Sequence, residues 1–272
     1  NDGNLIAWDA ARAGADISPD TFRSLLPALY SWMGDGMIEG VANLSEWYFE
    51  KFATDESSTE GLFEDYDHPN TRVTHMTVDH ELPMTFWRSV GHSYTAFAKE
   101  SMIDEMAEAA GMDEVAFRLQ NTQNTPRLNN VIRVAGEHMA KMNPPEGHHL
   151  GFAAHHSFYT DVAEIAEVSV ENGKIRVHKV TCVLDCGQAV NPDIVRSQIE
   201  GGVIYGLTAT LYGGLNLERG AIKESNFHDY PMLRMNESPE IEVVIIDSGT
   251  KPTGVGEPGL PPIAPAVANA VY

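Results

Sequence analysis

One carboxylate sits inside a constrained run, Gly254-Val255-Gly256-Glu257-Pro258-Gly259, followed by Pro261-Pro262-Ile263-Ala264-Pro265-Ala266. Glycine lets backbone approach a ligand closely, and proline stiffens the loop that carries the acid. The small-residue segment after it, Ala264 to Ala270, reads as a helix. A lone acid held near a helix start suits a general base whose pKa is set by its surroundings. Taken alone, the commoner use of such a run is a rigid surface turn with a solvated glutamate.

Two further segments carry chemistry. Phe86-Trp87-Arg88-Ser89-Val90-Gly91-His92-Ser93 leads into Phe97-Ala98-Lys99-Glu100-Ser101-Met102-Ile103-Asp104-Glu105-Met106-Ala107. A glycine-containing turn ahead of a helix is a reasonable anion cradle, although Arg88 would also serve as a structural ion-pair residue. Asp185-Cys186-Gly187-Gln188-Ala189-Val190-Asn191-Pro192 leads into Gln198-Ile199-Glu200-Gly201-Gly202. Gln198 reads either as a ligand-facing amide or as an ordinary helix-surface residue.

In this order and rough spacing, the three segments resemble those of the molybdenum hydroxylases, the family of xanthine dehydrogenase and aldehyde oxidase. The runs Trp87-Arg88-Ser89-Val90-Gly91-His92-Ser93 and Asn226-Phe227-His228-Asp229-Tyr230-Pro231-Met232-Leu233-Arg234-Met235-Asn236 most resemble the large (beta) subunits of its isoquinoline 1-oxidoreductase branch. The resemblance extends from about Pro83 to Tyr272.

It implies a molybdopterin cofactor carrying molybdenum, in the cytosine dinucleotide form usual for bacterial relatives. Glu257 is then the base that deprotonates a hydroxide on molybdenum, which attacks an electron-poor carbon. Arg88, Ser89, Val90 and Gly91 would lie against the metal centre and offer backbone N–H groups. Gln198, with Gly201 and Gly202, would face the pterin dithiolene, and Gly256 would also be a cofactor-binding residue. The segment Ser157-Phe158-Tyr159-Thr160 would approach the cofactor, as its counterpart does in relatives. No side chain is assigned as a metal ligand.

The implied substrate is an N-heteroaromatic or an aldehyde, oxidised with water as oxygen source. Electrons would pass to a 2Fe-2S small subunit, and the rest of the large subunit would be a second partner. Three departures stand out. Val90 replaces a Phe that helps sandwich aromatic substrates in xanthine dehydrogenase-like members. Tyr205 replaces a second glutamine. The Gly-Gly-Phe-Gly and Gly-Gln-Gly segments of relatives do not occur, so this chain would supply half of a cofactor site. The rival reading is a non-catalytic assembly or interaction module that keeps the fold without binding cofactor.

Composition bounds the alternatives. The 272 residues suffice for one large domain or two smaller ones. A net charge of -21, from 18 basic and 39 acidic residues, argues against a nucleic-acid partner and against anionic membrane surfaces. No apolar run is long enough to span a membrane, and the polar start Asn1-Asp2-Gly3-Asn4 does not read as a signal peptide, which says little about a longer parent. A missing initiator Met and an end inside an apolar helical pattern at Val271-Tyr272 lead to the expectation of a C-terminal fragment of a longer protein. Its compartment stays open between bacterial cytoplasm and periplasm. The two cysteines, Cys182 and Cys186, are too few for an iron–sulfur cluster and read as buried free thiols.

These residues need elements to position them. Ser18-Pro19-Asp20 predicts a helix start, with Phe22, Leu25, Leu26, Leu29 and Tyr30 as its apolar stripe. The acidic stretch from Asp55 predicts a solvated loop to Asn70, and alternation predicts a strand from Arg72 to His80. Helices are expected at Tyr94 to Ala110, ended by Gly111, at Asp113 to Asn121, and at Val131 to Met142. His148, His149, His155 and His156 read as loop histidines without a carboxylate partner. Strands are expected at Val162 to Val170 and Lys174 to Leu184, with Asn172-Gly173 as a hairpin signal. Pro192 starts a long helix to Leu211, containing Gly201, Gly202 and Gly206, each of which costs about 1 kcal/mol against Ala in an exposed helix. A strand pair is expected within Gly213 to Lys223, and a strand at Glu240 to Ile246. The fold class is α+β, with mixed sheets and packed helices. A boundary near Gly147 would divide a mostly helical part, 1–147, from an α+β part, 148–272, that carries the glutamate loop.

Overall fold

Alternation of apolar residues, and turn residues that permit positive φ, build the central sheet. The computed structural model describes residues 2–63, 65–78, 82 and 84–272. Strands β3 (His148–Ser157), β4 (Thr160–Glu171), β5 (Lys174–Asp185) and β8 (Glu240–Ile246) form one sheet in the order β3-β4-β5-β8. The first two pairings are antiparallel and β5–β8 is parallel. Asn172 and Gly173, at φ 51° and 75°, turn β4 into β5 as the Asn-Gly signal requires.

Both faces of this sheet are covered at its centre, where the apolar residues of β3, β4 and β5 pack to either side. Phe152, Ala154, Ala163, Ile165 and Val183 pack against Leu128, Val131, Ile132 and Ala135 of α5 (Pro126–Met139). On the opposite face Ala153, Val162, Ala166, Cys182 and Leu184 pack against Ile199, Val203 and Leu207 of α6 (Pro192–Tyr212). Ile263, Ala266 and Val267 of α7 (Ile263–Val271) join that cluster. A fully buried Ile or Leu contributes about 1.5–3 kcal/mol by leaving water. A side chain at Gly151 would run into the backbone of Ala266 and Ala270, so this glycine lets α7 lie directly on β3.

The chain divides into two compact units. The first comprises 1–4, 65–67 and 96–272, and the second 5–64 and 68–95. The boundary expected at Gly147 falls inside the first unit, where α5 packs on β4 and β5. The first unit also holds most of α3 (His92–Ala110) and all of α4 (Glu114–Gln120). Asp113 caps α4 by accepting from the Val115 and Ala116 N–H groups, and Gly111 ends α3 at φ 66°. Pro126 is the first residue of α5, so that helix begins earlier than its apolar stripe suggests. Proline fits there because its missing N–H is an unbonded position anyway.

In the second unit β1 (Trp8–Gly14) pairs in parallel with β2 (Thr71–Thr77). Helix α1 (Ser18–Leu29) packs on α2 (Asp35–Lys51). Asp79 and His80 of the expected strand lie outside the described residues, as does Pro83. The hairpin β6 (Leu217–Glu218) and β7 (Ala221–Ile222) belongs to the first unit.

Two expectations are corrected. The acidic stretch is not uniformly solvated. Asp55 is buried and accepts from the Ile17 and Ser18 N–H groups, stabilising the start of α1. Asp65 is buried against the Lys99 ammonium. The four histidines are not in a loop: all lie on β3. Strand register supplies carboxylate partners for two of them. His148 Nδ1 is 2.6 Å from Glu167 Oε1, and His156 Nδ1 is 2.7 Å from Asp161 Oδ1. His155 is fully buried, its Nδ1 3.5 Å from Asp65 Oδ2. Among the described residues, no group of three or more His, Cys, Asp or Glu side chains is arranged to hold a metal ion.

One core residue breaks the apolar pattern. Glu164 of β4, opposite Cys182 in register, is fully buried on the face covered by α6 and α7. Neither carboxyl oxygen has a full hydrogen bond among the described residues. Burial pushes its pKa up to about 8, and the weak thiol donor of Cys182 only partly opposes this. The folded chain therefore holds this proton more tightly than the unfolded chain. Stability falls as pH rises from the ordinary carboxyl range to about 8, then levels off. Urea unfolding at about pH 5 and about pH 9 should show a loss of several kcal/mol in the wild type and a much smaller loss in Glu164→Gln. Equal pH dependence in the two proteins would refute the buried neutral acid.

Candidate functional site

The loop that carries Glu257 leaves β8 and has no regular structure until α7. Its path is set by two neighbouring turns. At the β5–α6 connection, Gln188 N–H donates to Thr250 O at 3.0 Å, and Thr253 N–H donates to Cys186 O at 3.0 Å. Gly187, at φ 69°, faces the Lys251 carbonyl so closely that a side chain there would collide with it. At the β3–β4 turn, Gly254 N–H donates to Phe158 O at 3.3 Å, and Thr160 Oγ1 donates to Gly254 O at 2.6 Å.

The β3–β4 turn is itself unusual. Phe158 and Tyr159 have φ 51° and 63°, a left-handed pair made by two aromatic residues. Such a pair normally uses Asn or Gly, and aromatic side chains there cost free energy. The strained turn lies directly on the glutamate loop.

Asp185 ends β5 and organises the start of the same loop. Its Oδ1 accepts from Arg127 at 3.1 Å, from Ser248 Oγ at 2.8 Å and from Gly187 N–H at 2.8 Å. Burial alone would raise the Asp185 carboxyl, but the hydrogen bonds from Arg127, Gly187 and Ser248 outweigh it and hold the pKa low.

Beyond Glu257 the loop packs on α6 through glycines. A Cβ at Gly202 would meet Gly259 C at 3.0 Å, and one at Gly206 would press on Ile263 and Leu260. This contact explains Gly202 and Gly206 on the buried side of α6. Asn191 starts α6 as its N-cap, accepting from Asp193 and Ile194 N–H groups at 3.2 Å.

Four of the expected site residues thus meet in the first unit: Gln198, Gly202, Gly256 and Glu257. A Cβ at Gly256 would lie 4.0 Å from Gln198 Oε1. Gly201, three residues along α6 from Gln198, is exposed on the same side of the helix. Glu257 is half-buried, whereas Pro258, Gly259 and Leu260 behind it are buried.

Arg88, Ser89, Val90 and Gly91 form a separate turn in the second unit. Ser89 and Val90 have φ 73° and 48°, a strained conformation for a β-branched residue. Val90 N–H donates to Trp87 O at 2.9 Å, and Thr95 Oγ1 donates to Gly91 O at 3.0 Å. A side chain at Gly91 would run into Ser57 O. The turn packs where only glycine fits, and α3 starts from it.

Gln198, Gly201, Gly254 and Gly256 offer an exposed surface of amide and bare backbone beside one carboxylate. A flat heterocycle with nitrogen and oxygen edges fits this donor set, because amides both donate and accept. Sequence reasoning assigned no individual role to Thr160, Thr253, Asp185, Arg127 or Ser248. Thr160 meets the loop at Thr253 and Gly254, Asp185 meets it at Ser248, and Arg127 acts through Asp185; strand register and loop path, not a motif, make these contacts.

Comparison with known proteins is consistent across sequence and fold. The "Molybdopterin cofactor-binding domain" family matches residues 85–239, and a second family of that description matches 46–122. The beta subunit of isoquinoline 1-oxidoreductase from Brevundimonas diminuta is 34% identical over 85% of this chain and 30% of its own length. A nicotinate dehydrogenase subunit from Pseudomonas putida is 30% identical over 76% of this chain and 19% of its own length. The chain therefore spans less than a third of these relatives. In fold, aldehyde oxidoreductase from Desulfovibrio gigas superposes with a TM-score of 0.68 at 14% identity, over 99% of this chain and 45% of that one. Quinoline 2-oxidoreductase from Pseudomonas putida 86 gives 0.68 at 12% identity, over 79% and 53%.

Proposed function

The chain belongs to the molybdopterin cofactor-binding family of molybdenum hydroxylase large subunits, and from that premise we propose that it is the part of such an enzyme that supplies the catalytic base. The reading rests on one observation: Glu257 is held on a glycine loop whose two sides are fastened to α6 and to the β3–β4 turn, with Gln198 beside Gly256. The reaction is oxidation of an N-heteroaromatic or an aldehyde. A substrate C–H and one water give a C–OH, two electrons and two protons. The names of relatives, which include isoquinoline, nicotinate and aldehyde oxidoreductases, support this substrate class.

Molybdopterin with molybdenum, when bound, supplies the water-derived oxygen and accepts the electron pair. The protein residues do the rest. Glu257 takes a proton from the attacking oxygen, a step that a positioned carboxylate accelerates by about 10²–10⁴-fold. Gln198, Gly201 and Gly256 present amide and backbone edges to the pterin, whereas Gly202, buried against Gly259, supports the loop and does not face the cofactor. The Arg88–Gly91 turn, considered by itself, carries backbone N–H groups of the kind that hold an anionic cofactor edge. The buried Pro258–Leu260 segment keeps water from behind the carboxylate. A cytosine dinucleotide form of the pterin and a 2Fe-2S electron acceptor complete the proposal. No described helix is long and apolar enough to cross a membrane.

Elemental mass spectrometry on the full-length protein from its own host tests this directly. The expected result is near-stoichiometric molybdenum, together with dye-linked oxidation of an N-heteroaromatic or aldehyde. Full-length protein with its partner but without molybdenum would refute it.

A further inference from the structure

We infer that Thr160 is a positioning residue for Glu257, an assignment that rests on the proposed role of that carboxylate. The catalytic loop is irregular, so each of its residues resists ordering at a cost of about 1–2 kcal/mol in backbone entropy. Something must hold it within a fraction of an ångström of its working position. Thr160 is the first residue of β4 and is completely buried.

Its hydroxyl has one proton and can also accept. The 2.6 Å contact with Gly254 O uses that proton, because a carbonyl oxygen only accepts. The 2.7 Å contact with Thr253 Oγ1 must then run the other way, Thr253 donating to Thr160. One side chain thus binds two successive loop residues, with opposite polarity, three and four positions before Glu257. Thr is β-branched and stiff at χ1, so the hydroxyl direction follows the strand backbone. That backbone is in turn fixed by the left-handed Phe158–Tyr159 turn. Gly254, with no side chain, lies against Phe158, which allows the close approach. The strained turn acquires a use in this arrangement: it brings Thr160 to the loop.

The test compares Thr160→Val and Thr160→Ser in the full-length loaded enzyme. Val keeps the shape and removes both hydrogen bonds, whereas Ser keeps the hydroxyl. A misplacement of about 1 Å costs about a hundredfold in rate, so a smaller displacement should lower kcat about tenfold in Thr160→Val. KM and molybdenum content should stay near wild type, and Thr160→Ser should recover most of the rate. Amide hydrogen exchange at Val255, Gly256 and Glu257 should quicken in Thr160→Val and not in Thr160→Ser.

Wild-type exchange and kcat in Thr160→Val would overturn the assignment. Equal losses in the Val and Ser variants would also overturn it, since they would indicate packing alone. Should Thr160→Val not fold, Thr253→Val removes one of the two bonds from the other side and is read in the same way. A Glu257→Gln control separates the two claims. Normal turnover in that control sinks the base, whereas unchanged loop exchange in the Thr160 variant sinks the positioning residue.

Discussion

Glu257→Gln in the full-length enzyme should lower kcat by about 10²–10⁴-fold, the range that a general base supplies. The amide is nearly isosteric with the carboxylate but cannot take the proton. Three supports of the loop should survive the change. The Gly202–Gly259 approach, the Thr160 hydrogen bond to Gly254 and the Gln188–Thr250 hydrogen bond do not involve the carboxylate. Molybdenum content should therefore match wild type, measured on the same samples as turnover. Near-normal turnover with full metal would remove Glu257 as the base. Loss of metal together with turnover would indicate a binding role instead.

Arg118→Met should cost about 3–5 kcal/mol of stability, as expected when one partner of a buried ion pair is removed. Arg118, on α4, is completely inaccessible and meets Glu100, equally inaccessible, at 3.0 Å. It also meets Asp104 at 2.7 Å and donates to the carbonyl of Glu100 at 3.2 Å. Its guanidinium lies 5.3 Å from the centre of the Phe152 ring. Glu100 in turn accepts from Tyr66 Oη at 2.8 Å and from Ala154 N–H at 2.9 Å. The group ties α3, α4 and β3 together at one buried point.

Removing the guanidinium leaves a carboxylate in the core without its cation. Domain stabilities are only about 5–15 kcal/mol, so the loss should be visible in any unfolding curve. Glu100→Gln added to Arg118→Met should recover part of it, because the stranded charge is then gone. Denaturant midpoints of the two singles and the double measure this coupling. An Arg118→Met variant as stable as wild type would show that the buried triad contributes nothing.

Some features were legible because they depend on neighbours in sequence. The Asn172-Gly173 turn, the Asp113 cap, Pro192 at the start of α6 and strand β8 all follow from local backbone preference and short-range periodicity. The β3–β4 turn was not legible, since Phe158 and Tyr159 are among the least expected residues for positive φ. Tertiary contacts with the glutamate loop hold them there. The histidines of β3 were misread for a related reason. Glu167 and Asp161, the carboxylate partners of His148 and His156, lie on another strand and face them only through register.

The candidate site divides in the same way. By itself, the sequence determined the acid, its glycine and proline frame, Gln198, the glycines of α6 and the family they resemble, because these are matters of residue type and spacing. Only the tertiary structure decided what Gly202 and Gly206 are for, that Gln198 adjoins Gly256, and that Thr160, Asp185 and Arg127 serve the loop. The physical reason is reach. Residue type and spacing act over a few positions, whereas a hydrogen bond from Thr160 to Gly254 joins atoms 94 residues apart in the chain. Such a contact forms only once the sheet and the helices packed on it have closed that distance.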